Sequence, residues 1–412
     1  RMAFETLGLQ AAQLTTQRPG GEQQTIERLD AEVRAVAGSH PTSASGKFHY
    51  RGEPVAFEAN LRPVASRTGR WSMSAHIVVT SRHLSATFDG LVQFESGMRL
   101  NGNLALRAAN LSALSQWLGV PLPTSVAAGS FSAKGGAVWR DGLLTFEQVD
   151  AELDGQTAHG ALTIGLTGPR PFIDGALAFN RLDVAAASRW LGLASSVGGA
   201  NDIAASGLAT GPARWPVFDA IDADLRLSAT QLIGLDPRSG RLAASVTAKD
   251  GRLVIDIADM EFADGAGAGQ ITIDQQGKTP FYHLRGSVVH ADAATVLAFA
   301  HLPALLTGVA NIRFELSGRG RTWAETAAAS TGEIQIALPA AGRMQLDLTR
   351  LLADARDRKS FAFGTHQLQG SAFDLLDVRL AVRHGTLISE HMSVRQNGLL
   401  VTADGTLQTH VG

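Results

Sequence analysis

The sequence predicts a mainly β fold: an elongated, curved antiparallel sheet, bent into a taco-like groove, with a few short capping helices. Three observations carry this. Apolar residues recur at every second position, as in Phe48/Tyr50, Val55/Phe57/Ala59/Leu61, Leu84/Ala86/Phe88 and Leu144/Phe146, and again in Leu253/Ile255/Ile257, Ile312/Phe314/Leu316, Ile334/Ile336/Leu338 and Val378/Leu380/Val382. That period belongs to strands with one buried face. Turn dipeptides punctuate the runs: Asp89-Gly90, Asp141-Gly142, Asp154-Gly155, Asp250-Gly251, Asn397-Gly398 and Asp404-Gly405. Asp, Asn and Gly tolerate the positive φ that tight hairpins demand. Third, the 412 residues include 44 Gly, and only 6% are aromatic against 45% apolar, a composition of small and aliphatic side chains in a chain that turns often.

Four short helices are expected against this background. Gly102–Gly119 (GNLALRAANLSALSQWLG) and Gly175–Gly192 (GALAFNRLDVAAASRWLG) start 73 residues apart and align without a gap. In each, a strand enters a helix through Asn110 or Asp183, whose side chain can accept the free N–H groups of the first turn. The helix carries Trp117-Leu118 or Trp190-Leu191 and stops at Gly119 or Gly192, where a left-handed residue suits the C-terminal cap. Looser copies start at Asp292 and Asp347. A recurring strand–cap–helix unit implies a repetitive architecture. Residues 1–24, polar and rich in Gln and Thr, read as a tail or connector. A Gly/Ala/Ser-rich stretch near residues 194–212 separates a first β segment, 25–200, from a second, 201–412.

Several function classes are excluded or lack support. Lys and Arg number 36 against 38 Asp and Glu, so no positive field exists to hold a nucleic-acid backbone. Cysteine is absent, which removes disulfides, thiol catalysis and thiolate metal sites. No HExxH, GxSxG, Walker-type or EF-hand motif occurs. The run Gly265-Ala266-Gly267-Ala268-Gly269 leads into the alternating Gln270-Ile271-Thr272-Ile273 and opens no helix, so a turn or bulge is expected in place of a phosphate cradle. The histidine pairs His283/His290 and His384/His391 have no metal-ligand spacing. The carboxylates sit at turns and caps. Trp117 and Trp190 fit an anchoring role in helix packing better than a ligand platform. The expectation is no enzyme, no catalytic residue, no metal and no cofactor.

Three blocks resemble the AsmA family of Gram-negative envelope proteins. They are LSATFDGLVQFESGMRLNGNLALRAANLSALSQWLG (84–119); WPVFDAIDADLRLSA (215–229) leading to DGRLVIDIADMEFADGAGAG (250–269), with Asp264-Gly265-Ala266 where the family often has Tyr-Gly-Gly; and GEIQIALPAAGRMQLDLTRLL (332–352) with FDLLDVRLAVRHGTLISEHMSVRQNGLLVTADGTLQ (373–408). The resemblance runs from about Thr25 to the end. It implies a curved sheet with an apolar inner groove, akin to bridge-like lipid transfer proteins, and a role in phospholipid traffic and outer-membrane assembly. It also implies a periplasmic location, anchored to the inner membrane by a helix upstream of this chain. The partners expected are phospholipid or another acyl-chain lipid, the envelope membrane and other envelope proteins, and no nucleic acid.

Elementary physics adds a separate constraint. A sheet with one apolar face must cover it, and four short helices are too few for so many strands. The sheet's own curl, another chain or a hydrophobic ligand must supply the rest. A lipid tail is sufficient, at about 0.8 kcal/mol per buried CH₂. A self-filled solenoid or sandwich remains the open alternative. On amphipathicity, the groove positions are Phe88, Phe94, Leu104, Leu106, Phe146, Ile255, Ile257, Phe314, Leu316, Leu380 and Val394. The rival functions are a scaffold docking envelope partners through sheet edges and, third, a glycan-active enzyme on a β-solenoid.

Overall fold

A computed structural model describes residues 6–17, 23–35, 42–64, 72–94, 97–119, 129–166, 170–190, 215, 217–235, 238–299, 305–345 and 370–407. The fold is mainly β, built as open, curved antiparallel sheet with a few short helices; no barrel closes among the described residues. The chain forms two compact units, Arg1–Asn180 with Ala220–Leu225, and Arg181–Asp219 with Arg226–Gly412.

The first unit is an antiparallel meander in which each strand pairs with the next: β1 (Thr6–Gln17), β2 (Gln23–Ala35), β3 (Thr42–Tyr50), β4 (Glu53–Val64), β5 (Ser72–Ser81), β6 (Ser85–Phe94), β7 (Met98–Ala108), β8 (Phe131–Arg140), β9 (Leu143–Leu153), β10 (Gln156–Gly165) and β11 (Phe172–Asp183). Helix α1 (Leu111–Leu118) interrupts it after β7. The second unit holds α2 (Val184–Trp190), α3 (Val217–Ala220), most of β12 (Asp222–Ile233), β13 (Leu242–Lys249), β14 (Arg252–Phe262), β15 (Gly265–Asp274), β16 (Phe281–Asp292), α4 (Ala293–Phe299), β17 (Leu306–Thr307), β18 (Val309–Arg319), α5 (Trp323–Ala328), β19 (Thr331–Leu338), β20 (Gly342–Met344), β21 (Ser371–Phe373), β22 (Leu375–Arg383), β23 (Thr386–Gln396) and β24 (Leu399–Leu407). Its main ladder runs β13-β14-β15-β16-β18-β19-β22-β23-β24, and β17-β20-β21 form a separate small sheet.

The caps behave as the side chains require. Asn110 Oδ1 accepts from Ala113 N at 2.8 Å, and Gly119 closes α1 in the left-handed region at φ 78°. Asp183 Oδ1 accepts from Ala185 N and Ala186 N at 2.8 and 3.1 Å. Asp292 caps α4 by accepting from Thr295 N and Oγ1 at 3.1 and 2.6 Å. The expected helix after Asp347 lies outside the described residues. Two helices had no expectation: α3, and α5 with its Thr322/Glu325 capping pair.

Several expectations need correction. Residues 6–17, read as part of a polar tail, form β1 and pair with β2, since uncharged Thr and Gln tolerate a sheet as well as a coil. Asp89-Gly90 and Asp404-Gly405 are not turns: they lie inside β6 and β24, where their strands pair on through them. The other four dipeptides do turn, with positive φ at both residues, and Arg51-Gly52 and His384-Gly385 do the same. Gly265–Gly269, by contrast, meets its expectation of a turn or bulge: the run lies in β15, follows a turn at Ala263-Asp264 and faces the β14 bulge between Ile257 and Met260. The compact units divide about twenty residues before the sequence boundary at 200.

Glycine inside β6 and β7 has a steric cause. Gly90 and Gly102 face each other across the ladder, and a Cβ on Gly102 would lie 2.3 Å from Asp89 O and 2.5 Å from Gly90 Cα. Gly102→Val should therefore cost about 1–3 kcal/mol of stability in urea unfolding, whereas Gly136→Ala, whose Cβ meets nothing within 4 Å, should be near neutral. The Thr295 hydroxyl above all, aided by Thr295 N–H and Arg238, holds the Asp292 carboxyl below its ordinary pKa of 3.8. Its stabilisation is complete above that ordinary value and is lost as pH falls through the lowered one. Wild type should lose more thermal stability than Asp292→Asn on acidification across that window.

Candidate functional site

Cross-strand pairing fixes which side chains share a face, because paired residues point to the same side. In the second unit, five rows run across the strands on one face. One margin is Ala248, Leu253, Ile273, Tyr282 and Gly318. Next come Val246, Ile255, Ile271, Leu284, Leu316, Gly332, Val382 and Leu387, then Ala244, Ile257, Gly269, Gly286, Phe314, Ile334, Leu380 and Ser389. The fourth is Leu242, Met260, Gly267, Val288, Ile312, Ile336, Val378 and Met392. The far margin holds Ala291, Ala310, Leu338, Leu376 and Val394. The opposite face carries Asp256, Gln270, Arg285, Glu315 and Glu333.

β-Bulges keep the apolar side chains together where the sequence changes parity. Ile257 and Met260 are three apart, yet both lie on the apolar face because the β14–β15 register shifts between them. Phe146 and Val149 are reconciled in the same way by the β8–β9 shift.

The two margins are sealed and the middle is not. At one margin Leu253, Ile273 and Tyr282 are buried under an aromatic lid. Trp215 stacks within 5.6 Å of Phe218 and 6.3 Å of Trp323, and Trp323 lies 5.0 Å from Tyr282 (ring centroids). Buried Gln275 clamps the backbone of Trp215, donating to its carbonyl at 3.1 Å and accepting from its N–H. Burial pushes the Tyr282 phenol up to about 12. At the other margin α4 and the β17-β20-β21 sheet bring Ala293, Met344 and Phe373 onto Ala310, Leu338, Leu376 and Val394. Between them Ile255, Ile257, Ile271, Leu284, Ile312, Phe314, Leu316, Ile334, Ile336, Val378 and Leu380 are all half-buried.

The first unit obeys the same parity. Ala59, Ile77, Phe88, Leu104, Gly135, Val149, Gly160 and Leu177 form one row, and Phe57, Val79, Ala86, Leu106, Ala133, Ala151, Ala158 and Phe179 the next. Over β8–β10 this face fills itself: Ala133, Ala137, Leu144, Phe146, Val149 and Leu162 make a buried cluster. Over β4–β7, Phe57, Ile77, Leu104 and Leu106 stay half-buried.

The candidate positions from sequence therefore separate. Ile255, Ile257, Phe314, Leu316 and Leu380 lie on the uncovered middle rows of the second unit, and Leu104 and Leu106 on half-buried positions of the first. Phe146 and Val394 are fully buried and Phe88 nearly so; these three are core, packed by the chain's own side chains. Phe94 is 55% exposed at a strand end. Ile271 and Leu284 were missed: they come into the strip only through pairing beside the Gly/Ala run of β15.

Trp117 is an anchor. Its indole N–H donates to Tyr50 O at 2.9 Å, and its ring stands edge-on to Tyr50. The side chain of Trp190 lies outside the described residues. Open depressions of about 510 Å³ in the second unit and 710 Å³ in the first lie on the polar faces. In the latter, Asp150 accepts from His159 at 2.6 Å and pairs with Lys134 at 3.5 Å, and the His159 hydrogen bond leads in holding its carboxyl below the ordinary range. In the second unit's depression Glu315 meets His283 and Glu333 lies 3.8 Å from Arg379, while Asp256 accepts from the Gln270 amide. His283 meets Glu315, while His384 sits in a turn, so the histidine pairs do not converge. Among the described residues no three His, Asp or Glu side chains gather to hold a metal, and no helix is long and apolar enough to cross a membrane. No protein-family model, no curated protein and no solved structure matches this chain.

Proposed function

We propose that the chain is a non-enzymatic lipid-handling protein whose half-buried apolar strip shields acyl chains while the head group stays in water. One observation carries this reading: in the second unit the chain's own aromatic and aliphatic lids cover the margins of the apolar face, while most residues of the three rows between them, from Val246 on β13 to Leu387 on β23, stay half-buried, Val382 and Gly267 being the buried exceptions. Continuous apolar surface of this extent marks an interaction site. Strands are about 4.8 Å apart, so the strip extends roughly 34 Å across them. A tail spans about half of a ~30 Å hydrocarbon core and fits within that length. The AsmA-like blocks support the same function and, by resemblance alone, a periplasmic setting and a part in outer-membrane lipid homeostasis.

A second reading, a scaffold docking partners by strand addition, is favoured by β1. Its twelve residues hold no charge and no proline, two of the devices that blunt a sheet edge, and its irregular pairing with β2 is confined to Leu9–Leu14.

Mass spectrometry of organic extracts of the purified chain separates the two. Lipid handling predicts co-purified phospholipid, lost in Phe314→Asp and Ile255→Asp while circular dichroism keeps the β spectrum. A lipid-free chain that takes up no fluorescent fatty acid, yet captures protein partners through β1, would replace the first reading with the second.

A further inference from the structure

The meander of the first unit has two unlike ends. At one, the Arg51-Gly52 and Asp154-Gly155 turns and α1 lie over the strands, and Trp117 packs on Tyr50 and His83. The polar face there carries Ser85, Arg107, Ser132, Glu152 and Thr157 in one row. At the other end, large apolar side chains stand in water: Val64 ends β4, Phe94 ends β6, Met98 starts β7, Leu143 starts β9, Leu166 follows β10 and Phe172 starts β11, each between 38 and 55% exposed.

These residues occupy both faces. Phe94 and Met98 pair directly and continue the apolar face. Leu143, by contrast, is paired with Arg140 and Gly165, and Phe172 with Gly165, which puts both on the face that is polar elsewhere. The Phe172 ring lies over Gly165, where a Cβ would meet it at 2.0 Å. At this rim the two-face alternation gives way to hydrocarbon on both sides.

Arginines accompany the apolar tips. Arg62 is two residues before Val64, Arg99 follows Met98, and Arg140 faces Leu143. Arg99 and Arg140 are themselves directly opposite across β7–β8, a like-charge pairing that disfavours the sheet unless an anion relieves it. Asp141 reaches Arg140 at 3.2 Å from the adjoining turn. A rim that is apolar at its tip and guanidinium-rich just behind it has the layering of a bilayer surface, with hydrocarbon within and phosphate outside.

We propose that this hairpin rim is a membrane-contact surface: Phe94, Met98, Leu143 and Phe172 enter the outer hydrocarbon of an anionic bilayer, and Arg62, Arg99 and Arg140 meet its phosphates. It rests on the rim alone and is independent of the acyl strip of the second unit.

Flotation of the whole chain tests it, with vesicles of phosphatidylcholine alone or mixed with phosphatidylglycerol. Wild type should float with the anionic vesicles and be released in part by 0.5 M salt, an ionic strength at which screening is about twice as tight as in physiological buffer. Phe94→Ser with Met98→Ser and Leu143→Ser should reduce bound protein about tenfold. Arg99→Gln with Arg140→Gln should abolish the preference for anionic lipid yet leave the fold at least as stable. Leu118→Ser, an exposed apolar residue on α1 at the opposite end, should float like wild type. No flotation with either vesicle, equal flotation of the triple variant, or equal loss in Leu118→Ser would overturn the assignment, as would a rim whose variants lose only a protein partner. Phe314→Asp should float normally while losing co-purified lipid, so failure of the strip and failure of the rim give different results.

Discussion

A sheet can sort its side chains by solubility only if every strand keeps phase with its neighbours, and this requirement governs the molecule. One residue of slip would move a whole apolar row to the wet face. Within each unit the phase is held from strand to strand, so that Ile257, Phe314, Ile334 and Leu380 share a side although they come from four separate stretches of chain. Where the sequence changes parity, as between Ile257 and Met260 or Phe146 and Val149, a bulge absorbs the extra residue. The bulges therefore preserve the pattern they seem to break.

Cover for that face is then distributed unevenly. Short lids suffice at strand ends, where a helix or a three-stranded flap needs to bury only one row: α4 with β17-β20-β21 at one margin, the Trp215–Trp323 rings at the other. Over β8–β10 the face closes on itself around Phe146. No comparable closure reaches Ile255, Phe314 or Leu380, which stay half-buried. The difference lies in side-chain size as well as curvature, since Gly267, Gly269 and Gly286 leave the middle of the second unit with little to pack against itself.

Helix starts were legible because Asn110, Asp183 and Asp292 act on their own next three residues, a local interaction that a sequence displays in full. Turns were legible for the same reason where the dipeptide stood between two runs. Asp89-Gly90 misled because its glycine answers to Gly102 across the ladder and not to a bend in its own strand. The aromatic lid was out of reach: Trp215, Tyr282 and Trp323 are remote in sequence, and nothing local in any of them signals the others.

Alternation and turn chemistry, both encoded within a few residues, determined on their own that the chain is antiparallel β with one apolar face. They also placed many of the residues on that face, since side-chain direction follows from position along a strand, but Ile271, Leu284 and the positions beyond each bulge joined it only through pairing. How much of the face is covered was decided only by the tertiary structure. Burial of Phe146 and Val394 beside half-exposure of Phe314 and Leu380 depends on what lies above each position, and those covering groups come from distant parts of the chain.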